Sequence, residues 1–197
     1  MKKIIILFTV FILYTIIIKT CPTITMWDES VIVFIQKMFN NLPLIIPLLP
    51  DCKLYVCMIF IPIICIYVWS FRIKKWQQAF LITIAPLIAY AIKYIVKPIV
   101  ARPRPPFELQ QVIHPHSFSY VSTHSLVTIS IWGLVIYFLY KYCKNKFLKY
   151  FGIFFSTLWI LFVGLSRIWL GVHYPTDILG AYILGFILLT IYSKIRV

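Results

Sequence analysis

Arg167, His173 and Asp177 fall within the stretch Ser166-Arg167-Ile168-Trp169-Leu170-Gly171-Val172-His173-Tyr174-Pro175-Thr176-Asp177, a polar island between two long apolar runs. Charged and titratable groups are costly at a membrane boundary, so their company asks for a reason. Asp177 follows His173 by four residues. If Pro175 opens the next helix, as its fixed φ and missing N–H favour, Asp177 lies in the first turn and folds back toward the imidazole. A carboxylate there fixes the histidine tautomer and stabilises its positive form, which suits a nucleophile or a base. Arg167 offers a planar fork of donors for an anion beside it. Anchoring of helix ends at an interface would use the same residues, and this stretch alone leaves both uses open.

A second group of cations precedes it. Lys97-Pro98-Ile99-Val100-Ala101-Arg102-Pro103-Arg104-Pro105 sets three cations among prolines, with Lys93 one helical turn before Lys97 and Glu108 the only acid nearby. Such a concentration suits an anion with several oxygens. Lys93 and Arg102 are equally consistent with snorkelling to head groups. The same segment ends in Tyr120-Val121-Ser122-Thr123-His124-Ser125. Ser122 is a natural N-cap, and the unpaired N–H groups of a helix start suit phosphate. His124 is placed to give a proton to a leaving oxygen. His114 and His116, spaced by one position, read as loop surface.

These residues sit in a chain of 197 that is 62% hydrophobic and 12% charged, far from the balance of a soluble domain. One integral-membrane domain, residues 1–197, is the expected organisation. The net charge of +14 is divided into small clusters between apolar runs, which fits topology signals and anionic lipid contact, not a nucleic-acid footprint. The five cysteines lack metal-ligand spacing. Cys57 and Cys65 read as small hydrophobes, and a Cys21–Cys52 disulfide is conceivable but not expected.

The positioning elements follow from hydropathy. Spanning helices are expected at Ile4–Ile18, Leu54–Phe71, Trp76–Val96, Thr123–Tyr140, Tyr150–Leu165 and Ile178–Tyr192, with ends reaching into the flanking residues where the apolar run is short. The first run has the charged start of a signal peptide, but Lys19-Thr20-Cys21-Pro22 lacks a small-residue cleavage pattern, so an uncleaved span is expected. Between the first two spans, Trp27, Val31, Phe34, Ile35 and Met38 make one apolar face, with Asp28, Glu29, Gln36 and Lys37 on the rest. That pattern predicts a short interfacial helix. The fold class is therefore all-α, six transmembrane helices with one interfacial helix after the first. Lysines and arginines at both ends and at 72–75 and 141–149 then share one side, the cytoplasmic one, which leaves the two chemically rich segments together on the outer face.

Lys97, six residues, Arg104-Pro105; then Ser122-x-His124; then Ser166-Arg167, five residues, His173, three residues, Asp177: this three-part pattern resembles the signature of the type-2 phosphatidic acid phosphatase superfamily, membrane lipid phosphatases related in fold to vanadium haloperoxidases. The signature region is 97–177. Its first and third parts match in full. The middle part departs, because Val121-Ser122-Thr123-His124 stands where the family usually has Pro-Ser-Gly-His. The Thr123 hydroxyl offers a further contact there.

The resemblance implies that His173 attacks phosphorus to form a phosphohistidine, with Asp177 orienting it. His124 would protonate the leaving group and then help activate water. Lys97, Arg104, Arg167 and donors at Ser122 and Thr123 would neutralise the equatorial oxygens, so no metal and no other cofactor is implied. The small size is similar to bacterial members of the cytoplasmic membrane. Their substrates are undecaprenyl pyrophosphate, phosphatidylglycerol phosphate, phosphatidic acid or lipid A phosphates. The partner is thus a phospholipid or polyprenyl phosphate in the membrane, with no nucleic acid. A lipid-to-lipid phosphotransferase, or a non-catalytic protein that binds or transports anionic head groups, remains as an alternative. The sequence carries no indication of oligomeric state.

Overall fold

Long apolar runs without water to satisfy their backbone must satisfy it internally, and helices do so within one segment. The computed structural model describes residues 2–43, 46, 53–72, 76–111 and 114–194, and every regular element among them is helical. In chain order these are α1 (Lys2–Thr20), α2 (Pro22–Met38), α3 (Lys53–Arg72), α4 (Trp76–Val100), α5 (Thr123–Tyr142), α6 (Lys146–Trp169) and α7 (Pro175–Lys194), with a 3-10 turn at Phe107–Leu109. All six expected spans fall inside helices that extend beyond them. Among the described residues, five helices are long and apolar enough to cross a membrane: Lys2–Thr20, Ala79–Val100 within α4, Thr123–Tyr142, Lys146–Trp169 and Pro175–Lys194. In α3 the apolar described segment is the shorter Ile59–Ser70.

At the centre stands α5, packed against α4, α6 and α7, while α1 lies on α7 and α3 on α4. Leu126, Ile131, Leu134 and Phe138 of α5 meet Ile82 and Ala85 of α4, Val163 of α6 and Ala181 and Ile187 of α7 in the core. Large apolar side chains such as Phe80, Phe154, Leu161 and Phe186 point outward instead, as expected where the surrounding medium is hydrocarbon. Cys65 is exposed on such a face, and Cys21 is half-buried with a free thiol. Cys52 and the side chain of Cys57 lie outside the described residues.

Two sequence expectations change here. The amphipathic helix begins at Pro22, and its polar residues are divided, with Lys37 exposed and Asp28 and Gln36 engaged by the protein. Asp28 and Ile32 are buried, and the Gln36 amide donates to the carbonyls of Leu109 (2.8 Å) and Trp169 (3.0 Å). Its apolar residues Trp27, Phe34 and Met38 are exposed as well. The second change is at Lys97, which is not in a loop. Helix α4 continues through Pro98 to Val100. It ends at Ala101, whose φ of 51° is the left-handed conformation that closes a helix, its N–H returning to the Lys97 carbonyl at 2.8 Å. Arg102 and Arg104 are thereby turned inward across the end of the bundle.

A further close approach locks the opposing turn. Gly171 has φ 68°, and a Cβ there would lie 1.9 Å from the Leu109 carbonyl oxygen. Only glycine allows this turn to pass under residues 109–111, where Gln111 N–H donates to Leu170 O at 3.1 Å. The two chemically rich segments are thus sewn together.

Candidate active site

Four chain segments converge at this end of the bundle. The start of α7 supplies the first polar group. Pro175 is its first residue, and the Asp177 carboxylate reaches back so that its Oδ2 accepts the Tyr174 N–H at 3.0 Å, the carboxylate half of a capping box. The next orphan donor, Thr176 N–H, goes to Asp28 Oδ1 at 3.1 Å. Asp28 also accepts the Thr176 hydroxyl. Two carboxylates therefore crowd one helix start, where the positive dipole end favours them.

Arg102 bridges that pair. One guanidinium nitrogen donates to Asp177 Oδ1 at 2.6 Å and to Thr176 Oγ1 at 2.8 Å, and the other to Asp28 Oδ2 at 2.8 Å. Asp28 and Asp177 are fully buried and Arg102 is 6% exposed. The Tyr174 ring packs on the guanidinium at 4.2 Å. Burial pulls the Arg102 pKa down, and the neighbouring carboxylates more than reverse this, leaving it above its ordinary value. Arg102 does not snorkel: it is the counter-ion of two buried acids.

With Oδ1 of Asp177 held by Arg102, Oδ2 faces His173. The Ser119 hydroxyl donates to that Oδ2. A hydroxyl has one proton to give, so at its 3.3 Å contact with His173 Nδ1 the Ser119 oxygen accepts. The Nδ1–Oδ2 separation is 3.5 Å. On the other side of the ring, Nε2 lies 3.4 Å from Arg104 Nη1, a group that can only donate. Both contacts put the proton on Nδ1 and the lone pair on Nε2. His173 is 4% exposed, and burial, with Arg104 and Lys97 adding to it against the opposing pull of Asp177, pushes its pKa down from 6.5 to about 3. The ring is neutral at physiological pH.

That depression has a consequence for stability. Between about pH 3 and pH 6.5 the unfolded chain binds a proton that the folded imidazole refuses, so this contribution to stability is complete above the upper value and is lost as pH falls. The thermal midpoint of the detergent-solubilised protein is expected to drop on acidification from about pH 7 to about pH 5, and His173→Asn is expected to flatten that drop. An identical drop in the variant would contradict a neutral buried imidazole.

The Nε2 side of His173 opens on a cavity of about 920 Å³ whose lining includes Lys97, Arg104, Thr123, His124 and Arg167 and, among the described residues, no carboxylate. Arg104 is fixed from behind: Nε donates to Ser117 O at 2.7 Å, Nη2 to Ser117 Oγ at 3.1 Å, and Nη1 to Val172 O. Burial lowers its pKa to about 10, and it stays charged. Lys97 donates to Phe118 O. Arg167, 1% exposed, ends α6 with Nε on Ser166 Oγ at 3.2 Å. Seven of the eight residues singled out from the sequence meet at this wall or, for Asp177, directly behind it. Ser122 is the N-cap of α5 but does not line the cavity. Its N–H faces Asp177 O at 3.5 Å, and its Oγ accepts from Ser125 at 3.2 Å. His116 lines the cavity, whereas His114 stacks on Phe107 at 4.2 Å.

Sequence reasoning left Arg102 open between anion binding and snorkelling, placed Asp28 on the polar side of an interfacial helix without a partner, and passed over Ser117 and Ser119. A signal for Asp28 existed: with five acids against 19 lysines and arginines, any buried cation must draw its partner from very few residues.

Fold and site together define a helical membrane protein that presents, at one bundle end, a carboxylate-backed imidazole inside a cationic cage. A family model described as the PAP2 superfamily matches residues 74–197, and the chain belongs to that family. It is 36% identical over 96 residues to phosphatidylglycerophosphatase B of Bacillus subtilis strain 168, a match covering 48% of this chain and 46% of that protein, so it spans about half the length of this curated relative. Its fold is similar to the crystal structure of a transmembrane PAP2-type phosphatidylglycerolphosphate phosphatase from Bacillus subtilis, with a TM-score of 0.75, 25% identity, and coverage of 98% of this chain and 95% of that one.

Proposed function

We propose that the protein is a lipid phosphatase that removes a phosphate from a membrane lipid through a phosphohistidine, without requiring a metal ion. The observation that carries this reading is the orientation of His173, with Nδ1–H tied to Ser119 and Asp177 and Nε2 beside Arg104 at the cavity wall. In the first step Nε2 attacks phosphorus, the P–O bond to the lipid breaks, and His124 protonates the departing oxygen. In the second, His124 takes a proton from water, which attacks the phosphohistidine and releases inorganic phosphate. Lys97, Arg104 and Arg167 balance the charge spread over the equatorial oxygens, with Thr123 and the N–H groups at the start of α5 as further donors. Preorganised charge of this kind carries most of phosphoryl-transfer catalysis.

The substrates favoured are undecaprenyl pyrophosphate, lipid A phosphate or phosphatidylglycerol phosphate. The last agrees with the activity named for the two Bacillus subtilis proteins. With α3 counted as a crossing, six spans place both termini in the cytoplasm and the cavity on the outer face of a bacterial cytoplasmic membrane, the placement favoured by the basic residues at both chain ends. A single domain fits the continuous packing of α1 and α3–α7.

Purified protein with chelator present, offered polyprenyl, glycerol-based and lipid A phosphates, is expected to release inorganic phosphate from at least one class. Loss of lipid phosphate without free phosphate, paired with gain on a second lipid, would instead make it a phosphotransferase. Tight binding with no turnover on any class would make it a head-group-binding protein and overturn the enzymatic reading.

A further inference from the structure

Lys93 has no part in the chemistry above, yet its position is unusual. It is half-buried in α4, inside the segment apolar enough to cross a membrane. A lysine there is costly unless it faces protein or a polar cavity. Lys93 faces the cavity of the site, together with Tyr90 and Tyr94. Its ammonium lies 3.6 Å from the Tyr90 ring centroid and 4.8 Å from that of Tyr94. Among the described residues no carboxylate pairs with it. Ring faces hold a cation without neutralising it, so its charge stays available to a ligand.

Register gives that charge a meaning. Residues four apart lie on one helix face, about 6 Å apart along the axis. Lys97 reaches the Phe118 carbonyl beside the His173 wall. Lys93 is one turn further from the helix end that carries the site, toward the membrane interior. A lipid must enter with its tail on the membrane side and its terminal phosphate at His173. Any second phosphate, lying between tail and terminal group, would then fall beside Lys93. The cavity, at about 920 Å³, has room for a whole head group and not only for the reacting phosphate, since pockets of roughly 300–1,000 Å³ accept complete small molecules.

We propose that Lys93, with Tyr90 and Tyr94, forms a second anion subsite that holds the tail-proximal phosphate of lipids carrying two phosphate groups: a diphosphate, or a phosphomonoester joined to a phosphodiester. The assignment rests on the lipid-phosphatase reading and goes beyond it, because the cage around His173 by itself recognises one phosphate. Tyrosine hydroxyls supply the neutral donors that complete such a subsite.

The test compares wild type, Lys93→Gln and Lys93→Arg on two pairs of lipids with matched tails: polyprenyl diphosphate against polyprenyl monophosphate, and phosphatidylglycerol phosphate against phosphatidic acid. The readout is the ratio of kcat/KM for the two-phosphate member to that for the one-phosphate member. In Lys93→Gln this ratio is expected to fall by about 10-fold or more, the weight of one charge-assisted hydrogen bond, mostly through KM, and Lys93→Arg is expected to restore most of it. An unchanged ratio in Lys93→Gln, whatever happens to absolute rates, overturns the subsite. If wild type turns over none of these lipids, the phosphatase reading fails for them and stands or falls on lipid A phosphate. The subsite is then judged by the thermal midpoint of the protein in inorganic diphosphate against inorganic phosphate. A preference for diphosphate that vanishes in Lys93→Gln supports it, and no such preference sinks it.

Discussion

Replacing His173 by asparagine is expected to abolish phosphate release, by about 10⁴-fold or more, the scale of losing a nucleophile from a cooperating set. Asparagine keeps a polar group near Ser119 and the Asp177 carboxylate, so insertion and folding are expected to survive. Wild-type protein quenched during turnover with a phosphate-labelled lipid is expected to carry an acid-labile, base-stable label, as a P–N bond requires, and the variant none. His124→Asn is expected to slow both attack and hydrolysis but to leave Nε2 of His173 able to accept the phosphoryl group. Label formed on the His173 variant at the wild-type rate would remove the nucleophile from that position. The distinction matters because His173 and His124 line the same cavity.

The second large effect is expected at a residue outside the cavity lining. Arg102→Met leaves Asp28 and Asp177 buried without their shared cation. Breaking a buried ion pair by removing one partner costs about 3–5 kcal/mol, which a thermal or denaturant midpoint in detergent will register. Activity is expected to fall as well, because Asp177 Oδ1 loses the contact that aims Oδ2 at His173. Arg102→Lys is expected to rescue poorly, since one ammonium cannot reproduce the fork that meets both carboxylates. Adding Asp28→Asn to Arg102→Met is expected to cost less than the sum of the single changes, because the residues act on one network. An Arg102→Met midpoint indistinguishable from wild type would show that the buried triad contributes little to stability.

Much of this site can be read without coordinates. The spacing Lys97–Arg104 and Arg167–His173–Asp177, and His124 one residue after the start of α5, survive as one cationic wall with an imidazole in it. Asp177 lies in the first turn of α7 because Pro175 opens that helix, a local effect of one residue's ring. Ser122 shows the limit of such reasoning. Its N-cap position is local and was foreseeable, but which way its polar atoms turn depends on Asp177 O, which comes from another part of the chain.

What the sequence determined by itself was whatever depends on neighbours along the chain: apolar runs long enough to be helices in a membrane, the breaks between them, and the types and spacings of groups that handle phosphate. Periodicity also showed that α2 has two faces. It did not show what each face meets, and the polar one turned out to hold Asp28 against Arg102 and Thr176, 74 and 148 residues away. Pairing of this kind belongs to tertiary structure, because a buried charge is satisfied by whichever opposite charge the packing delivers, whatever the intervening chain length. Tautomer, exposure and the low pKa of His173 have the same origin. They are properties of an enclosure, and the enclosure exists only once four separate segments have closed around it.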